Sequence, residues 1–154
     1  MRFAVLAALA ALVSQSPLPA QSGASTNPAF ITPLAGSWTY SSVPGATEAD
    51  FISSDSRTQL SVKCVRASRQ LWVSRPSAQP VTQFSLWTSE MTRNLSATFN
   101  PSTGQATALL AAYDPLLDAL ALSRARIAIG VPGAAPLVLP SAPEVTRIVE
   151  DCRA

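Results

Sequence analysis

The chain has 154 residues, with 11 lysines and arginines against 9 aspartates and glutamates, a formal net charge of +2 and no histidine. The missing imidazole excludes His-assisted serine and cysteine hydrolases and nearly all zinc hydrolase sites, which draw a base or ligands from histidine. Near-balanced charge excludes a strong overall field for nucleic acid or anionic membrane, and 13% charged residues with 13 prolines argue for short strands and turns over long charged helices.

The first residues, "MRFAVLAALAALVSQSPLPAQSGAS", have the anatomy of a secretory signal peptide: Arg2, an apolar run from Phe3 to Val13, then small and polar residues with Pro17 and Pro19. The run is about half of the roughly 20 apolar residues that a membrane span needs. Cleavage is expected after Ala20 or Ala24, and no cysteine follows the run to carry a lipid. Residues 1–24 are therefore assigned to the signal peptide, 25–35 to a flexible leader and 36–154 to a single β-rich domain. Without Arg2 the 11 basic residues become 10 against 9 acidic ones, a near-neutral mature chain with no membrane span.

Strands begin at Gly36. "GSWTYSSV" sets Trp38 and Tyr40 on one side and Ser37, Thr39 and Ser41 on the other, the two-residue period of a half-buried strand. "EADFIS" is a second, shorter strand, and "SSDSRT" a turn whose Ser and Asp side chains bond nearby amides. "QLSVKCV" alternates most clearly, turning Leu60, Val62 and Cys64 inward; "QLWVSRP" and "TQFSLWTS" continue the series, the latter with Phe84 and Leu86 against Gln83, Ser85 and Trp87. "NLSATFNPSTGQATALLAA" is a hairpin with its turn at Asn100, Pro101, Ser102 and Gly104, between Leu95, Ala97 and Phe99 on one arm and Leu109 on the other.

At "YDPLLDALALS" the period changes. Asp114 suits a helix cap, Pro115 its first position, and Leu116, Leu117 and Leu120 follow at helical spacing. "RARIAIGV" returns to alternation with Ile127, Ile129 and Val131 on one face, Gly133 falls in a turn, and "PLVLP" is a short strand. A second helix is expected after Ser141, which with Glu144 has capping-box spacing. On it Val145, Ile148, Val149 and Cys152 make one apolar stripe. Cys64 and Cys152 are the only cysteines, both face inward, and in an exported chain they are expected to form a disulfide.

Two clusters invite a chemical reading. Asp114 with Asp118, and Glu150 with Asp151, are the carboxylate pairs a glycosidase would need, yet a helix cap and the wet side of a helix explain them better. In "KCVRASRQLWVSR", Lys63, Arg66, Arg69, Trp72 and Arg75 interleave charge with an aromatic, suited to an anionic glycan or other polyanion if Trp72 points outward. A large aromatic in a strand usually packs, so burial of Trp72 between sheets, with a solvated hairpin end, is the favoured expectation. Lys63 is the only lysine and lacks the spacing of a Ser–Lys nucleophilic pair, and no phosphate-binding loop or calcium-loop spacing occurs. "NLS" at Asn94 fits a glycosylation triplet without further support.

The signal peptide, the W-x-Y of the first strand, "LSVKC", "YDPLLDALALSRARIAI" and the finish "LPSAPEVTRIVEDCR" together resemble a family of small exported proteins of Gram-negative bacteria. The cysteine-to-cysteine plan is also similar to that of invasion-associated locus B type periplasmic proteins. These resemblances imply the compartment and a β-rich fold, and transfer no catalytic residue. The expectation is a mainly β protein, an antiparallel sandwich or partly open barrel of seven to nine strands with short helices after Asp114 and after Ser141. Its expected role is non-catalytic: a periplasmic accessory or binding protein, secreted as the alternative, without cofactor or metal, whose partner is an envelope protein or glycan and not nucleic acid. The alternatives are an anionic-glycan module using Arg66, Arg69, Trp72 and Arg75, and an Asp/Glu-dependent hydrolase.

Overall fold

The computed structural model describes residues 27–154, so the signal peptide and its cleavage positions lie outside the described residues. In chain order the strands are β1 (Gly36–Val43), β2 (Ala46–Ser53), β3 (Thr58–Val65), β4 (Gln70–Pro76), β5 (Gln83–Trp87), β6 (Thr92–Ser96), β7 (Thr98–Asn100), β8 (Gln105–Ala111), β9 (Arg126–Gly130) and β10 (Leu137–Pro140). Helix α1 (Pro115–Ala121) lies between β8 and β9, and α2 (Pro143–Arg153) ends the chain. A six-stranded sheet runs β1-β2-β3-β4-β8-β7 and a four-stranded one β10-β9-β5-β6. The paired strands are antiparallel. The molecule is a mainly β sandwich and not a closed barrel, as expected.

The expected seven to nine strands become ten among the described residues because the first arm of the hairpin breaks at Ala97. There the Ala97 N–H donates to Thr82 O at 2.8 Å, which keeps β6 with the small sheet while β7 crosses to the large one. The turn itself is as read: Asn100 Oδ1 accepts from the Ser102 N–H, and Gly104 takes φ +64°, where a Cβ is disfavoured. On the second arm Leu109 stands on the outer face with 54% exposure, while Ala106, Ala108 and Leu110 turn inward.

Alternation decides what fills the space between sheets. Phe51, Leu60, Val62, Cys64, Leu71 and Val73 from the large sheet meet Phe84, Leu86, Ile127, Ile129 and Leu139 from the small one, all buried. The small sheet leaves part of this face free, and α2 lies over β3 and β2 there, with α1 against it. Val145, Ile148, Val149 and Cys152 form its buried stripe. Cys152 is bonded to Cys64 with their Cα atoms 5.4 Å apart, which establishes the disulfide.

The start of α2 differs from expectation. Ala142, in extended conformation, occupies the cap position without a side-chain bond, and Pro143 opens the helix. Ser141 does not cap it, because its N–H bonds Ala125 O at the end of the β9–β10 pairing, so the residue belongs to the strand side of the junction. Proline at the first helical position supplies the fixed φ and needs no N–H partner.

The part of the leader within the described residues is tethered to the small sheet. A 3-10 turn at Pro28–Phe30 is capped by Asn27. Arg126 Nη1 donates to Ala29 O and Ile31 O at 2.9 and 2.8 Å, and the Leu34 N–H donates to Val138 O. Among the described residues no helix is long and apolar enough to cross a membrane.

Candidate functional site

Among the described residues the inner face of the large sheet is covered by the small sheet and α2, and its outer face by neither. In antiparallel strands, directly paired residues project from the same face. Following the pairs across all six strands gives one row: Thr39, Asp50, Ser61, Ser74, Thr107 and Thr98. Beside it runs a second row: Ser41, Glu48, Lys63, Trp72 and Leu109. A groove of about 470 Å³ lies over these rows, walled at one end by Thr103 and Gln105 of the β7–β8 hairpin.

Trp72 is 40% exposed at the centre of this face, with Lys63 across from it on β3 and Leu109 on β8. The favoured burial between sheets is thereby corrected. Leu71 and Val73 take the inward positions of β4, and alternation sends the indole outward, where among the described residues no second layer covers it.

The polar groups around the indole are held in place by one another. Ser61 Oγ donates to Glu48 Oε1 at 2.6 Å, and Lys63 Nζ lies 3.7 Å from Glu48 Oε2. Ser74 Oγ and Thr107 Oγ1 share a hydrogen bond of 2.8 Å in which either can be the donor. Burial in the groove floor pushes the Asp50 carboxyl above its ordinary range, and the nearby Glu48 adds to this, while Ser61 and Lys63 pull it down. Glu48, Asp50 and Lys63 sum to about one negative charge on the face.

The basic quartet read from the sequence is not a single surface. Arg66 and Arg69 lie in the β3–β4 turn, where Arg66 Nη2 reaches Ser42 Oγ at 3.4 Å and Arg69 Nη2 reaches Ala154 O at 3.2 Å. Arg75 shares the inward parity of Leu71 and Val73, and its Nη1 donates to Ile129 O of the small sheet at 3.1 Å. Burial lowers its pKa, and its role is to tie the two layers together. Trp72 and Arg75 therefore stand on opposite faces of β4, three residues apart in a structure of period two.

The four carboxylates considered for acid–base work are tied to other tasks or left in solvent. Asp114 caps α1 through Oδ1 and the Leu116 N–H, and its Oδ2 is 2.7 Å from Arg93 Nη2. Asp118 bonds Arg153 Nη1 at 2.7 Å. Asp151 Oδ2 accepts from the Tyr40 hydroxyl at 2.8 Å, with Arg147 stacked 3.8 Å over the Tyr40 ring, and Glu150 is exposed. The Tyr40–Asp151 bond, followed by burial, raises the Tyr40 pKa. Among the described residues no three or more Cys, Asp or Glu side chains gather as a metal would require.

Asp114 gives a pH test. Burial pushes its carboxyl up, but Arg93 and the Leu116 N–H prevail and hold it below its ordinary value. A depressed carboxyl contributes stability above its unfolded pKa near ~4 and loses it as pH falls through the folded value. Asp114→Asn keeps a capping oxygen and removes the ion pair. It is expected to cost about 1 kcal/mol at pH 7, discounted because Arg93 is partly exposed. The difference from the parent should close below pH ~3 in acid-dependent urea melts.

A second depression, of about 420 Å³, lies between the loops 77–83 and 131–134 at one end of the sandwich. Its walls are Ser, Gln, Pro, Val, Thr, Ala and Gly, with no charged or aromatic group to orient a ligand. Comparison with known protein families, with curated proteins and with solved structures gives no match to this chain.

Proposed function

We propose that the mature chain is an exported, non-catalytic binding protein of the periplasm whose ligand sits on the outer face of the six-stranded sheet. The observation that carries this reading is the exposed indole of Trp72 amid a groove of polar side chains drawn from β2, β3, β4 and β8. A tryptophan held out in water on a rigid sheet forgoes the burial it would gain inside, and binding restores it. A rigid sheet also keeps the contacting atoms in fixed register. The export half of the reading is supported by the disulfide, which persists in oxidising compartments, and by the signal-peptide anatomy of the first residues. The engagement of Asp114, Asp118 and Asp151 in caps and pairs favours binding over hydrolysis.

Chemical-shift mapping on isotope-labelled protein tests the binding half. Titration with polysaccharide and low-mass fractions of envelope extract is expected to move resonances of Asp50, Ser61, Lys63, Trp72, Ser74 and Thr107. Shifts centred on loops 77–83 and 131–134, or no shifts, would count against the groove. For export, N-terminal sequencing of protein released from the periplasm is expected to begin at Gln21 or Ser25; retention of Met1 refutes that half.

A further inference from the structure

We infer that the ligand of this groove is an uncharged glycan chain, one sugar ring stacked on Trp72 and its neighbours lying across the strands; this inference rests on the groove being the binding face. Three features of the face specify the ligand class. The first is the pairing of flat apolar and polar surface: the exposed indole of Trp72 with Leu109 beside it, next to a row of hydroxyls. A pyranose has the complementary form, with C–H groups on its face and hydroxyls around its rim, and an indole meets the C–H face with its π system.

The second is spacing. The row Asp50, Ser61, Ser74 and Thr107 advances by one strand per residue, about 4.8 Å each. That step is close to the length of one sugar ring, so a chain laid across the strands meets a hydrogen-bonding group at each unit. Ser74 and Thr107 hydroxyls, bonded to each other with interchangeable donor roles, can turn to donate to or accept from a sugar hydroxyl.

The third is charge. Lys63 is paired with Glu48, whose other oxygen is bonded by Ser61, and the Asp50 carboxylate faces the same groove as a further acceptor. A partly desolvated carboxylate suits sugar hydroxyls and repels uronate, sulfate or phosphate groups. Of the basic residues that suggested a polyanion, Lys63 stands on this face in its pair with Glu48, while Arg66, Arg69 and Arg75 lie off it.

The test is titration calorimetry with hexamers of β-1,4-linked glucose, β-1,4-linked N-acetylglucosamine and α-1,4-linked glucose, with a galacturonate hexamer as the charged counterpart. At least one neutral hexamer is expected to bind. Trp72→Ala should weaken it about tenfold or more, the scale of aromatic stacking, and Ser74→Ala with Thr107→Val about threefold or more. Trp72→Phe should retain part of the affinity, and thermal midpoints should stay near the parent's because these positions lie outside the core. Galacturonate binding more tightly than every neutral hexamer, neutral binding unchanged in Trp72→Ala, or no neutral binding would overturn the inference. Envelope-extract shifts at Trp72 and Ser74 that persist in that event would leave the groove standing as a binding face and remove only the glycan; their absence would remove both.

Discussion

Replacing Cys64 and Cys152 together by Ala is expected to lower the unfolding free energy by about 4 kcal/mol, the scale of the chain-entropy model for a closed loop of this length. The two cysteines are separated by 88 positions, so the bond removes a large share of the conformations open to the unfolded chain. It also holds the last turn of α2, an 11-residue helix that ends one residue before the terminus. Helices of that length are marginal alone. Other contacts keep α2 in place without the bond: the buried stripe, the Tyr40–Asp151 hydrogen bond, and Arg153 Nε donating to Ala112 O at 2.8 Å. The variant should therefore fold, with the same secondary structure and a lower guanidinium midpoint. Alanine is chosen over serine so that no unpaired hydroxyl is buried. Parent protein under strong reductant should fall to the midpoint of the double variant. A loss below about 1 kcal/mol would show that the unfolded chain is already constrained, and that the bond adds little.

The parts of the fold legible in the sequence are those set by local alternation against a single covered face. β3 shows it best: Leu60, Val62 and Cys64 are buried on one side, with Ser61 and Lys63 on the other. The stripe on α2 is legible for the same reason, and with it the disulfide. Where neighbouring side chains are equally apolar, the phase is lost. Leu109 and Leu110 are adjacent, and only the pairing of Leu110 with Leu71 sends Leu110 inward and Leu109 out. In β9 the pattern fails differently, because Ala128 faces away from the core yet is buried beside the tethered leader. The capping box at Ser141 was a correct spacing at the wrong register, overruled by Pro143 and by the strand pairing that claims the Ser141 amide.

The candidate site was less legible, and the reason is topological. Trp72 could be singled out, but whether its side of β4 meets a second layer depends on how both sheets stack. Its partners in the groove come from positions 48, 50, 61, 63, 105 and 107, separated in sequence and joined only by strand register. Arg66, Arg69 and Arg75 are its neighbours along the sequence, yet a turn and the opposite face of the strand carry them away. In a β protein the neighbours of an outward residue lie across the strands, or two places along its own strand as Ser74 does, and not at the adjacent positions of the chain.

Phe51→Ala is expected to be the most damaging single core change, at about 3–5 kcal/mol, a fall in thermal midpoint of about 10–20 °C for a domain of this size. The ring is fully buried on β2, and it meets the indole of Trp38 edge to face with centroids 5.5 Å apart. Trp38 in turn donates its Nε1 proton to Pro140 O at 2.8 Å, joining β1 of the large sheet to β10 of the small one. Removing the ring thus leaves a cavity and unseats the indole that bridges the layers at this edge. Gly36 shows how tight the fit is: a Cβ there would lie 2.7 Å from the Phe51 ring and collide with Ile52 O. Phe51→Leu, which refills most of the volume but loses the ring contact, should recover more than half of the loss. Urea melts of the two variants decide the matter. Equal destabilisation by Ala and Leu would place the whole effect in the aromatic pair, and a loss under about 1 kcal/mol for Ala would show that the sheets close over the space without cost.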